Sequence, residues 1–179
     1  YSDGITDGAA RTVLLAKEHI DNENPILLVN SDQIVDWECD KFMYRCYSEE
    51  VDGAILCFKS NESKWSYAKT DETGKVLEVA EKKVISSSAT VGIYYWKSGS
   101  DFVKYAERMI EKNIRTNNEF YVCPVFNEAI QDGKKIKSFM CKKMHGIGTP
   151  EDLEQYLEEK YGADVANQGL VVTTTIDAD

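Results

Sequence analysis

Two uninterrupted apolar runs constrain this chain more than any other feature. Ile26-Leu27-Leu28-Val29 and Gly53-Ala54-Ile55-Leu56-Cys57-Phe58 leave no polar side chain on either face of a pleat. The first is read as a strand buried on both faces and the second as a central strand. Helical patterns stand before and between them. Val13, Leu14, Ala16 and Ile20 give one side of a helix from about Gly8 to Ile20, with Asp7 as its cap and Lys17 and Glu18 outward. A second helical stretch, around Glu38–Ser48, separates the two runs.

From Lys64 the pattern changes to period two. Trp65, Tyr67 and Lys69 alternate with Ser66, Ala68 and Thr70, and the Asp71–Gly74 turn leads into Val76, Leu77 and Val79. Ala89–Trp96 is a further strand, rich in β-branched and aromatic residues. A helix follows, with Ser98 and Asp101 spaced as a capping box and a buried stripe of Phe102, Val103, Ala106, Met109 and Ile110. The sharpest helix start is Thr149-Pro150-Glu151-Asp152, after which Leu153, Tyr156 and Leu157 face inward. Beyond Gly162 periodicity fades, and Val171–Ile176 reads as an edge strand or a disordered end. Helix–strand alternation followed by antiparallel pieces predicts a mixed-sheet α/β domain over residues 1–161, with 162–179 as a C-terminal tail.

Composition matters mainly for what it excludes. A net charge of −10, from 21 basic and 31 acidic residues, argues against broad nucleic-acid binding, which needs a basic face. No apolar run spans a bilayer and no leader pattern opens the chain, so a soluble, cytoplasmic protein without membrane partners is expected. The five cysteines, Cys39, Cys46, Cys57, Cys123 and Cys141, are odd in number with no C-x-x-C pair. They read as core or surface thiols, not as a zinc or disulfide framework.

Candidate chemistry gathers at strand ends. Val29 runs into Asn30-Ser31-Asp32-Gln33, and ligands in open α/β sheets collect at the carboxyl ends of strands. Asp32 either holds Mg²⁺ against a substrate phosphate or makes a local Asx-turn. Gly8 and Ala9 open a helix with small residues, leaving first-turn N–H groups for an anion or a carbonyl. Glu81 and Lys82 close another strand. The carboxylate suits hydroxyls and the ammonium suits phosphate, but the pair is equally a solvated charge cluster. His145, in a basic and then glycine-rich segment, is a ligand or a structural histidine. The G-x-S-x-G elbow, H-E-x-x-H, the P-loop and G-x-G-x-x-G are all missing from the sequence.

Taken in order, "TDGAARTVLLAKEHI", "PILLVNSDQIVDW", "VLEVAEKKVISSSATVGIYYW", "NNEFYVCPVFNEAI" and "HGIGTPEDLEQYL" resemble nucleotidyltransferases of the sugar-phosphate type. The likeness is greatest to the pyrophosphorylase and cytidylyltransferase branch found in bacterial capsule and surface-polysaccharide loci. It implies a Rossmann-like nucleotide-diphospho-sugar transferase fold with a mixed central sheet. It also implies Mg²⁺-dependent transfer of a nucleotidyl group from an NTP, leaning toward CTP, to a phosphorylated sugar or similar acceptor, with release of pyrophosphate. On this resemblance Gly8 and Ala9 fall on the loop contacting the base. Ser31 and Asp32 fall on the strand end whose aspartate holds metal. Glu81 and Lys82 fall on the pair meeting the acceptor's hydroxyls and phosphate, which makes Asp32 and Lys82 the catalytic candidates. Gly92 falls on the strand lining the acceptor pocket, and Glu119 on a position contacting the acceptor. Homo-oligomers are common among such enzymes.

Two departures stand out. Relatives open with a strand and a glycine-rich loop that wraps the triphosphate, whereas this chain starts after that point. The expectation is a fragment without the first βα unit, weak or inactive alone and prone to self-association. Relatives also carry a second metal-binding aspartate where this chain has Gly146, so the implied metal site has one carboxylate or is completed by His145 or water. A non-catalytic nucleotide- or sugar-phosphate-binding module is the alternative reading. A related glycosyltransferase is disfavoured because Asp32-Gln33-Ile34 does not supply a D-x-D motif.

Overall fold

The computed structural model describes residues 4–162, which form two compact units. The larger contains residues 4–30 and Val35–Lys143; the smaller contains Ser31–Ile34 and residues 144–162. In chain order the larger unit begins with α1 (Ala9–Leu14), α2 (Lys17–Ile20) and β1 (Ile26–Val29). After β2 (Gln33–Asp36) come α3 (Cys39–Ser48), β3 (Gly53–Lys59), β4 (Tyr67–Thr70), β5 (Val76–Ala80) and β6 (Ser88–Trp96). It continues with α4 (Gly99–Glu111), α5 (Val125–Gln131) and β7 (Ile136–Met140); β8 (Lys143–Gly146) then leads to α6 (Pro150–Tyr161) of the smaller unit.

The larger unit is built on a six-stranded mixed sheet of order β5-β4-β6-β3-β7, with β1 also paired to β6. Because β1 and β3 both run antiparallel to β6 while β7 runs parallel to β3, β1, β3 and β7 share one direction. The alternating residues of β4 and β5 pair as the predicted hairpin, closed by the Asp71 carboxylate. That group accepts from the amides of Thr73 and Lys75 at 2.8 and 3.0 Å, so the Asp71–Gly74 turn is an Asx-turn.

The core lies between this sheet and α4–α5. Trp96 stacks on Phe126 with ring centroids 4.3 Å apart and meets Phe102 edge-on at 5.7 Å; all three side chains are buried. Of the predicted stripe of α4, Phe102, Val103, Ala106 and Met109 are buried and Ile110 is partly buried, with Tyr105 added to the buried face. Its capping box is not formed. Carbonyls of the loop between α2 and β1 take its first amides, Asn24 from Gly99 at 2.9 Å and Asn22 from Ser100 at 3.0 Å, and the Ser98 hydroxyl donates to the Asn22 carbonyl. Asp101 is drawn away to Lys134 at 2.7 Å.

Three other sequence expectations change. The helix over Gly8–Ile20 breaks into two at Leu15–Ala16, and Asp7 pairs with arginines instead of capping it. The β1 run is not covered on both faces. Ile26 and Leu28 pack against the core, whereas Leu27 and Val29 leave on the opposite face and are exposed. The short elements β2, α5, β7 and β8 carry no sequence signature that separates them from loops. The tail segment Val171–Ile176 lies outside the described residues. Among the described residues no helix is long and apolar enough to cross a membrane.

In the smaller unit, Thr149 caps α6 as predicted, accepting from the Asp152 amide at 3.1 Å with Pro150 at the first helical position. His145 packs edge-on against Tyr156 at 5.0 Å and faces Glu159 at 3.5 Å, so it ties β8 to this helix. The strands β2 and β8 form a two-stranded sheet.

Candidate active site

The sheet splits at the middle of β6. Ala89 at its start pairs with Tyr67 of β4, whereas Ile93 to Trp96 pair on the same edge with β1. Opposite β3 the register jumps: Ile55 faces Tyr94 and Cys57 faces Thr90, so Leu56 alone spans Val91, Gly92 and Ile93. Gly92 sits in this bulge at φ 82. A side chain there would lie 2.5 Å from Asn30 Nδ2, and the Asn30 amide donates to the Gly92 carbonyl at 2.9 Å. Glycine is therefore required for both its conformation and its space. The carboxyl end of β1 is anchored on the floor of the split, where a mixed α/β sheet collects ligands.

The end of β5 lies on the other side of the split. Ser66 donates a hydrogen bond to Glu81 Oε2. Burial pushes the Glu81 carboxyl above its usual range; the Ser66 bond and Lys82 pull it down and Glu119 adds to the rise. Behind it, Thr90 and Tyr94 hydroxyls bond at 3.0 Å, and burial raises both Tyr94 and the Cys123 thiol, each of which also feels Glu81. Lys82 donates to the Tyr121 hydroxyl at 2.8 Å, which raises its pKa, and the charges of Glu81 and Glu119 add to this. Glu81, Lys82 and Glu119 thus share one electrostatic cluster, as a site for a polyhydroxylated phosphate would need.

Glu119 is delivered by a tight hairpin. Asn117 and Asn118 have φ of 49 and 64, and Thr116 and Glu119 exchange amide bonds of 3.1 and 2.9 Å around them. Two successive left-handed residues match the right-handed twist of a hairpin, and asparagine tolerates that conformation. Phe120 then turns inward. Its amide donates to the Asp7 carbonyl at 2.8 Å, and its carbonyl accepts from Ala10 at 2.9 Å. Arg115 covers its ring at 3.8 Å and bonds Asp7 at 2.9 Å, while Arg11 holds the same carboxylate at 2.7 Å.

The Gly8–Ala9 segment is therefore zipped to the segment carrying Glu119. At Gly8, with φ 128, a side chain would meet the Phe120 backbone at 2.4–2.8 Å. The close approach expected from a ligand is made by the chain itself, and the first-turn amide of Ala10 already has its carbonyl partner.

Ser31 and Asp32 belong to the smaller unit, where both are exposed. The Asp32 carbonyl accepts from Ile147 at 2.9 Å, and its carboxylate lies 2.8 Å from where a Gly148 side chain would begin. The strand-end aspartate is thus seated on the Gly146-Ile147-Gly148 turn that precedes α6. No group of three or more metal-ligating side chains occurs among the described residues. An exposed single carboxylate beside a glycine fits Mg²⁺, which takes one or two protein carboxylates and completes its shell with phosphate and water. His145, held by Glu159 and Tyr156, serves the packing of α6.

A profile of the nucleotidyl transferase family matches residues 3–161. The chain belongs to the nucleotidyl transferase family. The fold agrees. A nucleoside-diphosphate-sugar pyrophosphorylase from Vibrio cholerae RC9 superposes with a TM-score of 0.73 at 25% identity, over 87% of this chain and 66% of that one. A UDP-glucose pyrophosphorylase complexed with UDP-glucose gives 0.69 at 15% identity, over 88% of this chain and 64% of that one. The chain spans less than two thirds of the length of either structure. No curated protein matches the sequence.

For a nucleotidyl transferase, three neighbours of the cluster escape sequence reasoning. Ser66 and Tyr121 carry no motif and are recognised only through Glu81 and Lys82. Asn30 stands in the polar break after β1, but only the split sheet shows that it meets Gly92. The Asn-Asn pair before Glu119 is the one available local signal, a two-residue hairpin turn.

Proposed function

We propose that this domain transfers a nucleoside monophosphate from an NTP to a phosphorylated sugar or similar acceptor. An oxygen of the acceptor phosphate attacks the α-phosphorus, and the new P–O bond forms as the bond to the bridging oxygen breaks. Pyrophosphate leaves with that electron pair. The observation that carries this reading is the pair at the end of β5, Glu81 held by Ser66 and Lys82 held by Tyr121, with Ser66 tied to β6 through the Thr90 amide at 2.8 Å. Lys82 binds and orients the attacking phosphate; Glu81 and Glu119 accept from acceptor hydroxyls. These roles are positional and electrostatic, as phosphoryl-type transfer requires. Ala9 contacts the base, and Gly92 lines the acceptor pocket. Asp32 holds Mg²⁺ with Ser31 beside it, and the ion, when bound, neutralises charge on the phosphates. CTP is the favoured nucleotide, on the resemblance to the capsule-locus branch.

Thermal-shift titration with CTP, UTP, GTP, ATP and dTTP, each with and without Mg²⁺, tests the nucleotide half. A ligand at 100 times its Kd raises stability by about 2.7 kcal/mol. A Mg²⁺-dependent shift with CTP that Asp32→Asn removes is the expected result. An equal shift in Asp32→Asn would remove Asp32 from the metal site.

A further inference from the structure

Glu81 and Lys82 are consecutive at the end of a strand, so their side chains should leave on opposite faces. Both nevertheless lie in the field of the Glu119 carboxylate. The backbone of Lys82 resolves the conflict. It is left-handed, with φ 52, and its amide is tied to the Trp65 carbonyl at 3.1 Å. That conformation is uncommon outside glycine and asparagine, and it persists only where surrounding contacts enforce it. It turns the lysine stem out of the alternation that a regular strand would impose.

Redirecting the stem does not fix its end. Lys82 is exposed, and a free four-carbon ammonium samples many rotamers. One contact removes that freedom: Nζ donates to the Tyr121 hydroxyl at 2.8 Å and stands 5.0 Å from the ring centroid. Tyr121 is itself held. Glu119 and Tyr121 flank Phe120, so in an extended segment they share a side while Phe120 turns the other way into the core. The two backbone bonds from Phe120 to Asp7 and Ala10 then set the position of both.

We propose that Tyr121 is a positioning residue, whose phenol holds the Lys82 ammonium where the acceptor's phosphate arrives. This rests on the reading of Lys82 as the phosphate contact. An ammonium has three donors, so one spent on the phenol leaves two for phosphate oxygens. Tyr121 acts through Lys82 and does not touch the phosphate.

The test is titration of inorganic phosphate, followed by NMR, into the chain and its Lys82→Gln, Tyr121→Phe and doubly substituted variants. Lys82→Gln should weaken binding roughly tenfold and Tyr121→Phe about threefold, and the double variant should bind no worse than Lys82→Gln alone. If Lys82→Gln changes nothing, the phosphate assignment fails and takes this inference with it. If Lys82→Gln weakens binding but Tyr121→Phe does not, the inference alone is overturned. Additive losses would mean that Tyr121 contacts phosphate directly, which also overturns it. Should Tyr121→Phe fail to fold, the ¹⁵Nζ resonance of Lys82 in the unmodified chain decides. Slowed ammonium exchange with a cross-peak to the Tyr121 ring supports the contact, and a freely exchanging ammonium refutes it.

Discussion

Glu81 is the residue at which this site stores an electrostatic cost. Burial favours its neutral form, and Glu119 pushes the same way. A carboxyl whose folded pKa lies above its unfolded value costs stability once ionised. That cost is absent below the ordinary value of 4.5 and fully present above the raised folded value. Glu81→Gln should therefore be more stable than the unmodified chain at pH 7, with the gain vanishing as pH falls toward 4.5. Urea unfolding of both proteins from pH 4 to 8 checks this, and a pH-independent difference would contradict it. Gly8 makes a second residue-scale case. Its φ of 128 and the Phe120 backbone in its Cβ position predict that Gly8→Ala costs roughly 3 kcal/mol. A change within 0.5 kcal/mol in urea unfolding, about the scatter of a neutral surface substitution, would show that the zipped segment is not rigid.

At the scale of elements, α5 holds the outer edge of the sheet in place. Asn127 clasps the backbone of β5, accepting from the Val79 amide at 2.9 Å and donating to the Val79 carbonyl at 2.8 Å. Its side chain completes a ladder that would otherwise leave an unpaired edge beside Glu81. Asn127→Ala should cost about 1–3 kcal/mol and speed hydrogen exchange at the Val79 amide. Unchanged exchange there would mean the clasp does not form. The same elements show where sequence reading succeeds and where it stops. The strands β3 and β6 were legible from continuous apolar, β-branched and aromatic runs, α4 from its apolar stripe, and α6 from its Thr149-Pro150 start. The helix α5 was not, since seven residues beginning Val-Phe after Pro124 look as much like a strand as a helix. The Ile26–Val29 run was read as buried on both faces, but only the Ile26–Leu28 face is covered, and a local pattern does not specify what packs on each face. Glu81 and Lys82 were legible as a charged pair closing a strand, and Glu119 was singled out only through the family resemblance. Their convergence was not, because it depends on a left-handed lysine and a bulge in β6.

At the scale of the whole molecule, the two units each draw together segments that are distant in sequence. The smaller seats Asp32 on the glycine turn before α6, and the larger gathers the ends of β4 and β5, the bulge of β6 and the Asn117–Asn118 hairpin. A net charge of −10 does not conflict with the anionic acceptor proposed above, because Lys82, the cation assigned to it, is a local charge bonded to Tyr121. Amide chemical-shift mapping with glucose 1-phosphate decides whether this cluster is the acceptor site. The largest shifts are expected on Ser66, Glu81, Lys82, Gly92, Glu119 and Tyr121. Saturable shifts confined to other parts of the chain, with these residues unmoved, would contradict it.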